Sequence, residues 1–143
     1  MKNHVTALLL YIEAGSFRDL SLALRRRSVL VREARSCGEA ERVILGPEPP
    51  ELVFTEPQLS DGSWSDVVRN ARAANSPVNV IVVSPDVNIA FYLEVIQNGA
   101  FDFIAPPFEA PGLTHVVNCA RDNVLARRQA QLSSPLLERE ARI

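Results

Sequence analysis

Lysine is almost missing from this chain: Lys2 is the only one, and every other basic residue is arginine. Chemistry that needs an ammonium group inside the fold therefore has no residue to supply it beyond position 2. Cysteine is nearly as scarce. Cys37 and Cys119 lie far apart with no paired zinc spacing, which argues against a disulfide framework and reads as two buried free thiols in a cytosolic protein. The two histidines, His4 and His115, have no companion ligands in the sequence and are assigned to no metal. Glycine is also sparse, and only Gly15 follows the first apolar run, so no glycine-rich phosphate cradle is present there. That first run, Val5 to Ile12, stops at Glu13; it is too short for a bilayer span and lacks a signal-peptide cleavage context. Excess charge is missing too: a net charge of −2 gives no basis for capturing nucleic acid or an anionic membrane. The expectation is a cytoplasmic domain with no membrane and no nucleic-acid partner of its own.

What is present is an alternation of short apolar runs with helical patterns, the signature of a parallel sheet covered on both faces. Strands are expected at Ala7–Tyr11, Val29–Arg32, Leu52–Thr55, Val78–Val83 and Phe103–Ala105. Helices are expected near Phe17–Arg26, Gly38–Ile44, Trp64–Asn75, Val87–Asn98 and Leu113–Gln129. Phe17, Leu20 and Leu24 share one face of the first helix, and Ile89, Leu93 and Ile96 one face of the fourth, with Gly99 as its stop. Arg25-Arg26-Arg27 suits a helix end, where the dipole favours cations. After Arg128 the pattern weakens and Pro135 interrupts it, so residues 4–128 are expected to form the domain and 129–143 a C-terminal tail or linker stub.

The most informative segment is Glu51-Leu-Val-Phe-Thr-Glu-Pro-Gln-Leu-Ser-Asp-Gly62. A buried-type strand ends in an acidic residue, Glu56, ahead of a proline loop and an Asp-Gly turn. In open α/β sheets ligands sit beyond the carboxyl ends of the strands, which places the Glu56 carboxylate where chemistry is done. Asp61, in the turn, is a poor substitute nucleophile. Trp64, beside that turn, is expected to pack the third helix.

Five such units, together with Gly99-Ala-Phe-Asp-Phe-Ile-Ala-Pro-Pro-Phe108 and the Glu56–Gly62 loop, resemble the receiver domain of bacterial response regulators, most of all those of enhancer-binding regulators. The resemblance spans about residues 5 to 128. It implies one doubly wound, flavodoxin-like, five-stranded parallel sheet of order 2-1-3-4-5. The family takes a phosphoryl group onto an aspartate at the position of Glu56, and holds magnesium with an acidic pair at the positions of Ile12 and Glu13. Its phosphate-contacting lysine falls at Pro106, just before a cis proline equivalent to Pro107. Its switch hydroxyl and switch aromatic fall at Ser84 and Phe103.

These departures lead to a degenerate receiver, a pseudo-receiver without enzymatic activity or cofactor. Phosphoryl transfer depends on metal and lysine to offset developing charge, and one metal carboxylate and the lysine are replaced. Glu13 and Glu56 are left as a weak relic magnesium site at most. The expected role is two-component or phosphorelay signalling by protein–protein contact, with a signalling partner or output domain. A homodimer through the fourth helix, fifth strand and fifth helix is also expected, around Phe91, Glu94, Val95, Asp102 and Arg121. The alternatives are a receiver phosphorylated at a non-standard residue, or a flavodoxin-like small-molecule binding domain. Bland readings stand beside each site residue: Glu56 as a solvated relic, Ser84 as a turn or cap residue before Pro85, Phe103 as core.

Overall fold

The structure, a computed structural model, describes residues 5–141, with side chains described through residue 132. Three strands form its centre, β1 (Thr6–Leu10), β3 (Leu52–Thr55) and β6 (Asn79–Val83), and their side chains are buried almost without exception. Such continuous burial on both faces is what turns alternating strands into unbroken runs of Leu, Val and Ile. The edges are β2 (Leu30–Ala34) and β7 (Asp102–Ile104), where charged residues enter the strands. All pairings are parallel, in the order β2-β1-β3-β6-β7. This is the expected 2-1-3-4-5 topology.

The period-two geometry of the strands divides the core into two layers. Leu8, Leu10, Val53, Val80 and Val82 point to one side, where they meet α2 (Cys37–Ile44), α3 (Trp64–Ala73) and α4 (Ile89–Gln97). Ala7, Leu9, Leu52, Phe54, Ile81 and Val83 point to the other, against α1 (Gly15–Arg25) and α5 (Ala110–Ala141). Phe17, Leu20 and Leu24 of α1 are buried as their spacing predicts. Gly99, at φ +107°, ends α4 in a conformation that L side chains rarely adopt.

Four local expectations change. The Ile89/Leu93 face of α4 is not the buried one: Ile89 is 77% and Leu93 47% exposed, while Val95 is fully buried and Phe91 packs inward. This helix is apolar on nearly every side, so spacing alone could not choose its inner face. The ring contacts of Phe91 with Trp64 (6.2 Å) and Phe103 (5.7 Å) accompany the choice. Val95 therefore cannot be a surface contact. Cys119 is exposed and only Cys37 is buried. The turn after Glu56 is a small antiparallel hairpin, β4 (Gln58–Leu59) with β5 (Gly62–Ser63). Helix α5 starts at Ala110 and its backbone continues past Gln129 and Pro135 to Ala141. The Leu, Ala, Gln, Glu and Arg residues that dominate residues 124–141 are good helix formers, which carries the backbone on.

The far edge of the sheet is tied to α5 by a polar clamp. Glu51, almost fully buried, accepts the Thr6 N–H at 2.8 Å and the Arg128 guanidinium at 3.1 Å. Arg128 also donates to the carbonyls of Pro49, Pro50 and Pro77. Beside it, Asn79 donates to the Ala120 carbonyl and accepts from Arg127. Burial lowers the pKa of Arg128, with the Glu51 charge opposing that shift.

Candidate functional site

The carboxyl ends of β1, β3, β6 and β7 lie along one edge of the sheet, and this edge collects most of the residues singled out from the sequence. Ile12 and Glu13 follow β1, Glu56 follows β3, Ser84 follows β6, and Pro106 and Pro107 follow β7. The parallel ladders set their relative height: Leu10 pairs with Thr55, Thr55 with Val82, and Val83 with Ile104. Two further backbone bonds close the edge, Glu56 N–H to the Leu10 carbonyl at 3.0 Å and Ser84 N–H to the Ile104 carbonyl at 3.1 Å. The Pro106–Pro107 peptide is cis.

Glu56 does not point into open solvent. Its Oε1 accepts the Ile12 backbone N–H at 2.6 Å, a short charge-assisted contact. The carbonyl of the same residue, Ile12, accepts from the Arg35 guanidinium, whose carbon sits 4.8 Å from the centre of the Tyr11 ring. One backbone residue is thus held by a carboxylate on its N–H and an arginine on its carbonyl. Arg35 escaped the sequence reading because it follows the edge strand β2 and matches no motif; only the fold brings it over β1. Tyr11, stacked on Phe17 at 5.0 Å, has its phenol pKa raised by burial and by the nearby Glu33 charge.

Ser84 is buried, and its Oγ accepts the Asp86 N–H at 3.2 Å, an arrangement that shapes the turn into α4. Among the described residues no hydrogen bond joins Glu56 to Ser84. Phe103 is half-buried, its ring meeting Phe91 at 5.7 Å and Tyr92 at 6.1 Å, both edge-on. Trp64 is buried on α3 and touches Phe91, as a core residue does.

Asp61 has a definite task. Both its oxygens are occupied, Oδ1 by the Cys37 N–H at 2.7 Å and Oδ2 by the Gly38 N–H at 3.0 Å, which caps the first turn of α2. These two bonds hold its pKa below the ordinary carboxylate value. The same carboxylate, after burial itself, helps raise the Cys37 thiol pKa. Gly62 lets the hairpin approach so closely, since a Cβ there would stand 2.6 Å from Asp66 Oδ2 and 2.8 Å from Cys37 Sγ.

The donor set does not fit a magnesium ion of the family's kind. Magnesium asks for several oxygen ligands in near-octahedral order. Ile12 offers a hydrocarbon, Glu56 is bound to a backbone N–H, and Glu13 is exposed. Among the described residues no group of three or more His, Cys, Asp or Glu side chains gathers for a metal. His4 lies outside the described residues.

No family model matches the chain. Relatives do. It is 33% identical over 103 residues to the response regulator protein PilR of Pseudomonas aeruginosa, covering 71% of this chain and 22% of PilR. It superimposes on a response regulator receiver domain protein from Clostridium thermocellum with a TM-score of 0.72 at 19% identity, covering 83% of this chain and 95% of that one. The chain is a response-regulator receiver domain. The receiver also matches the structure of NtrX from Brucella abortus, with a TM-score of 0.73 and 26% identity over 90% of this chain. It spans 29% of NtrX, and so corresponds to one part of these longer regulators. Among the described residues of the receiver, no helix is long and apolar enough to cross a membrane.

Proposed function

We propose that this receiver is a pseudo-receiver: it takes no phosphoryl group and signals by protein–protein contact. The observation that carries the reading is the hydrogen bond from Ile12 N–H to Glu56 Oε1 at 2.6 Å. In-line attack on a phosphoryl donor needs a free carboxylate oxygen held near the donor, and displacements on the ångström scale cost orders of magnitude in rate. Here one oxygen of the carboxylate is engaged, and Pro106 stands at the position where the family's lysine would neutralise the transferring group, in a chain whose single lysine is Lys2. Asp61 offers no substitute, because both its oxygens bind the start of α2.

The contact surface is the outer side of α4 with β7 and α5. Val87 is 80% exposed, Ile89 77%, Leu93 47% and Tyr92 41%, which makes an apolar stripe unusual for a solvent-facing helix. Phe91 and Val95 support this stripe from inside. Arg121 lies elsewhere: it stands seven residues after Thr114, on the stripe of α5 where Thr114 bonds Arg27 of α1. The occupant is a signalling protein, an output domain or a second receiver, with residues 4–128 as the signalling unit and 129–143 as its connection.

The test is incubation with acetyl phosphate or phosphoramidate and magnesium, read by intact mass. The expected result is no added phosphoryl group; a stoichiometric base-labile adduct would refute the reading. Glu56→Gln removes the charge and keeps an oxygen acceptor for Ile12. Unchanged self-association and partner binding in that variant mark Glu56 as a relic, and a loss of either marks it as a built-in on-signal.

A further inference from the structure

Helix α5 carries a side-chain pair on its exposed side that the proposed function does not explain. Its buried side is Leu113, Val117, Ala120 and Val124. His115 and Cys119, one turn apart, project from the opposite side and are both exposed. Free cysteine is ordinarily among the most buried of residues, so an uncovered thiol beside an imidazole is unusual. They face each other: Cys119 Sγ lies 3.7 Å from Nε2 and 3.9 Å from Nδ1 of His115.

Those distances have a chemical meaning. With Zn–S of ~2.3 Å and Zn–N of ~2.0–2.1 Å at tetrahedral angles, the sulfur–nitrogen edge of a zinc site is ~3.6 Å. The pair therefore already stands at the spacing of two neighbouring ligands of a tetrahedral zinc. One chain cannot complete the site, since no third His, Cys, Asp or Glu joins the pair among the described residues. Asp122, the next acidic residue along this side, is turned to Arg121 at 3.4 Å.

We propose that His115 and Cys119 form half of a tetrahedral thiolate–imidazole site for zinc or a similar soft divalent cation, completed by the same two residues of a second copy. A two-fold axis through the metal generates four ligands from two, and an isologous contact is the commonest form of homo-oligomer. Each thiol gives its proton to solvent as its metal–sulfur bond forms, and each imidazole binds neutral. The site rests on α5 alone and does not depend on how Glu56 behaves.

The experiment is titration of the reduced chain, in a non-chelating phosphine reductant, with zinc and with cobalt(II). Sedimentation velocity and the cobalt spectrum are recorded for the wild type, Cys119→Ser and His115→Gln. Both positions are exposed, so the variants should keep the wild-type melting curve. Zinc is expected to double the mass of the sedimenting species at one metal per two chains. Cobalt is expected to give tetrahedral d–d bands and a thiolate charge-transfer band. Cys119→Ser should remove the charge-transfer band and the doubling, and His115→Gln the doubling. Absence of any zinc response in the wild type would overturn the proposal. So would a response that persists unchanged in Cys119→Ser, or a zinc-induced dimer that chelator does not dissociate.

Discussion

Replacing Arg128 with methionine should cost this receiver about 3 kcal/mol, although the residue lies at the opposite edge of the sheet from Glu56. The Glu51 side chain is 3% exposed and that of Arg128 18%, with nitrogen and oxygen 3.1 Å apart. At an effective dielectric of about 20, that separation gives roughly 5 kcal/mol of gross attraction, most of which offsets the desolvation of both ions. Removing one partner of a fully buried pair costs about 3–5 kcal/mol, because the other charge stays buried. The lower end applies here, since Arg128 is partly exposed and Glu51 keeps its bond from Thr6 N–H. Lost donors to Pro49, Pro50 and Pro77 keep the cost from falling further. Over a domain of this size the change lowers Tm by about 10 °C. Glu51→Gln should cost less, about 1–2 kcal/mol, and the double variant should cost clearly less than the two single losses added together. Urea denaturation followed by circular dichroism measures all three. A loss under about 1 kcal/mol for Arg128→Met, or strict additivity, would show that the clamp is solvated and not part of the core.

Two further outcomes concern the hairpin after Glu56. Asp61 has its pKa lowered by the Cys37 and Gly38 N–H groups, so its contribution to stability is complete above the unfolded carboxylate value and fades as pH falls through the folded one. Asp61→Asn should therefore lower the melting temperature at neutral pH and flatten its fall on the acid side; identical acid limbs for variant and wild type would contradict the capping role. Gly62→Ala places a methyl against Asp66 Oδ2 and Cys37 Sγ and should destabilise by about 1–3 kcal/mol, read as a lower urea midpoint, whereas an unchanged midpoint would mean the hairpin yields freely.

The three central strands were legible because they are buried on both faces, which leaves apolar runs in the chain, while the sheet order came from the resemblance to receivers. The helices were legible where one face is polar, as in α1, with Phe17, Leu20 and Leu24 inside. Helix α4 was legible as a helix but its inner face was not: Ile89, Phe91, Leu93, Val95 and Ile96 satisfy more than one inner face, and tertiary aromatic contacts decide among them. At the site, sequence located Glu56, Ser84 and the two prolines at the strand ends through the order of the motifs. It had no means of finding Arg35, whose contact with Ile12 spans 23 residues and two strands. Nor could it show the occupied state of Asp61, because both partners are backbone N–H groups of a different helix. The Cys119–His115 pair was in principle readable as an i, i+4 spacing, once α5 was taken to run through both.

Ile12 and Glu56 are best understood as one change and not two. A glutamate at the end of β3 carries its carboxylate one methylene further than aspartate, and here that reach ends on the N–H of Ile12 at 2.6 Å. Had residue 12 been acidic, as the family pattern has it, a second carboxylate would stand on the very residue whose N–H Glu56 binds, and nearby like charges are unfavourable unless a cation offsets them. An apolar side chain at position 12 removes the repulsion. Arg35 then supplies a cation on the carbonyl of the same residue. In the pseudo-receiver we propose, these three residues exchange a pocket that needs magnesium for one held by the chain's own charges. In that proposal Pro106 in place of lysine follows from the loss of chemistry, because a pocket that takes no phosphoryl group has no use for a counter-charge at the end of β7.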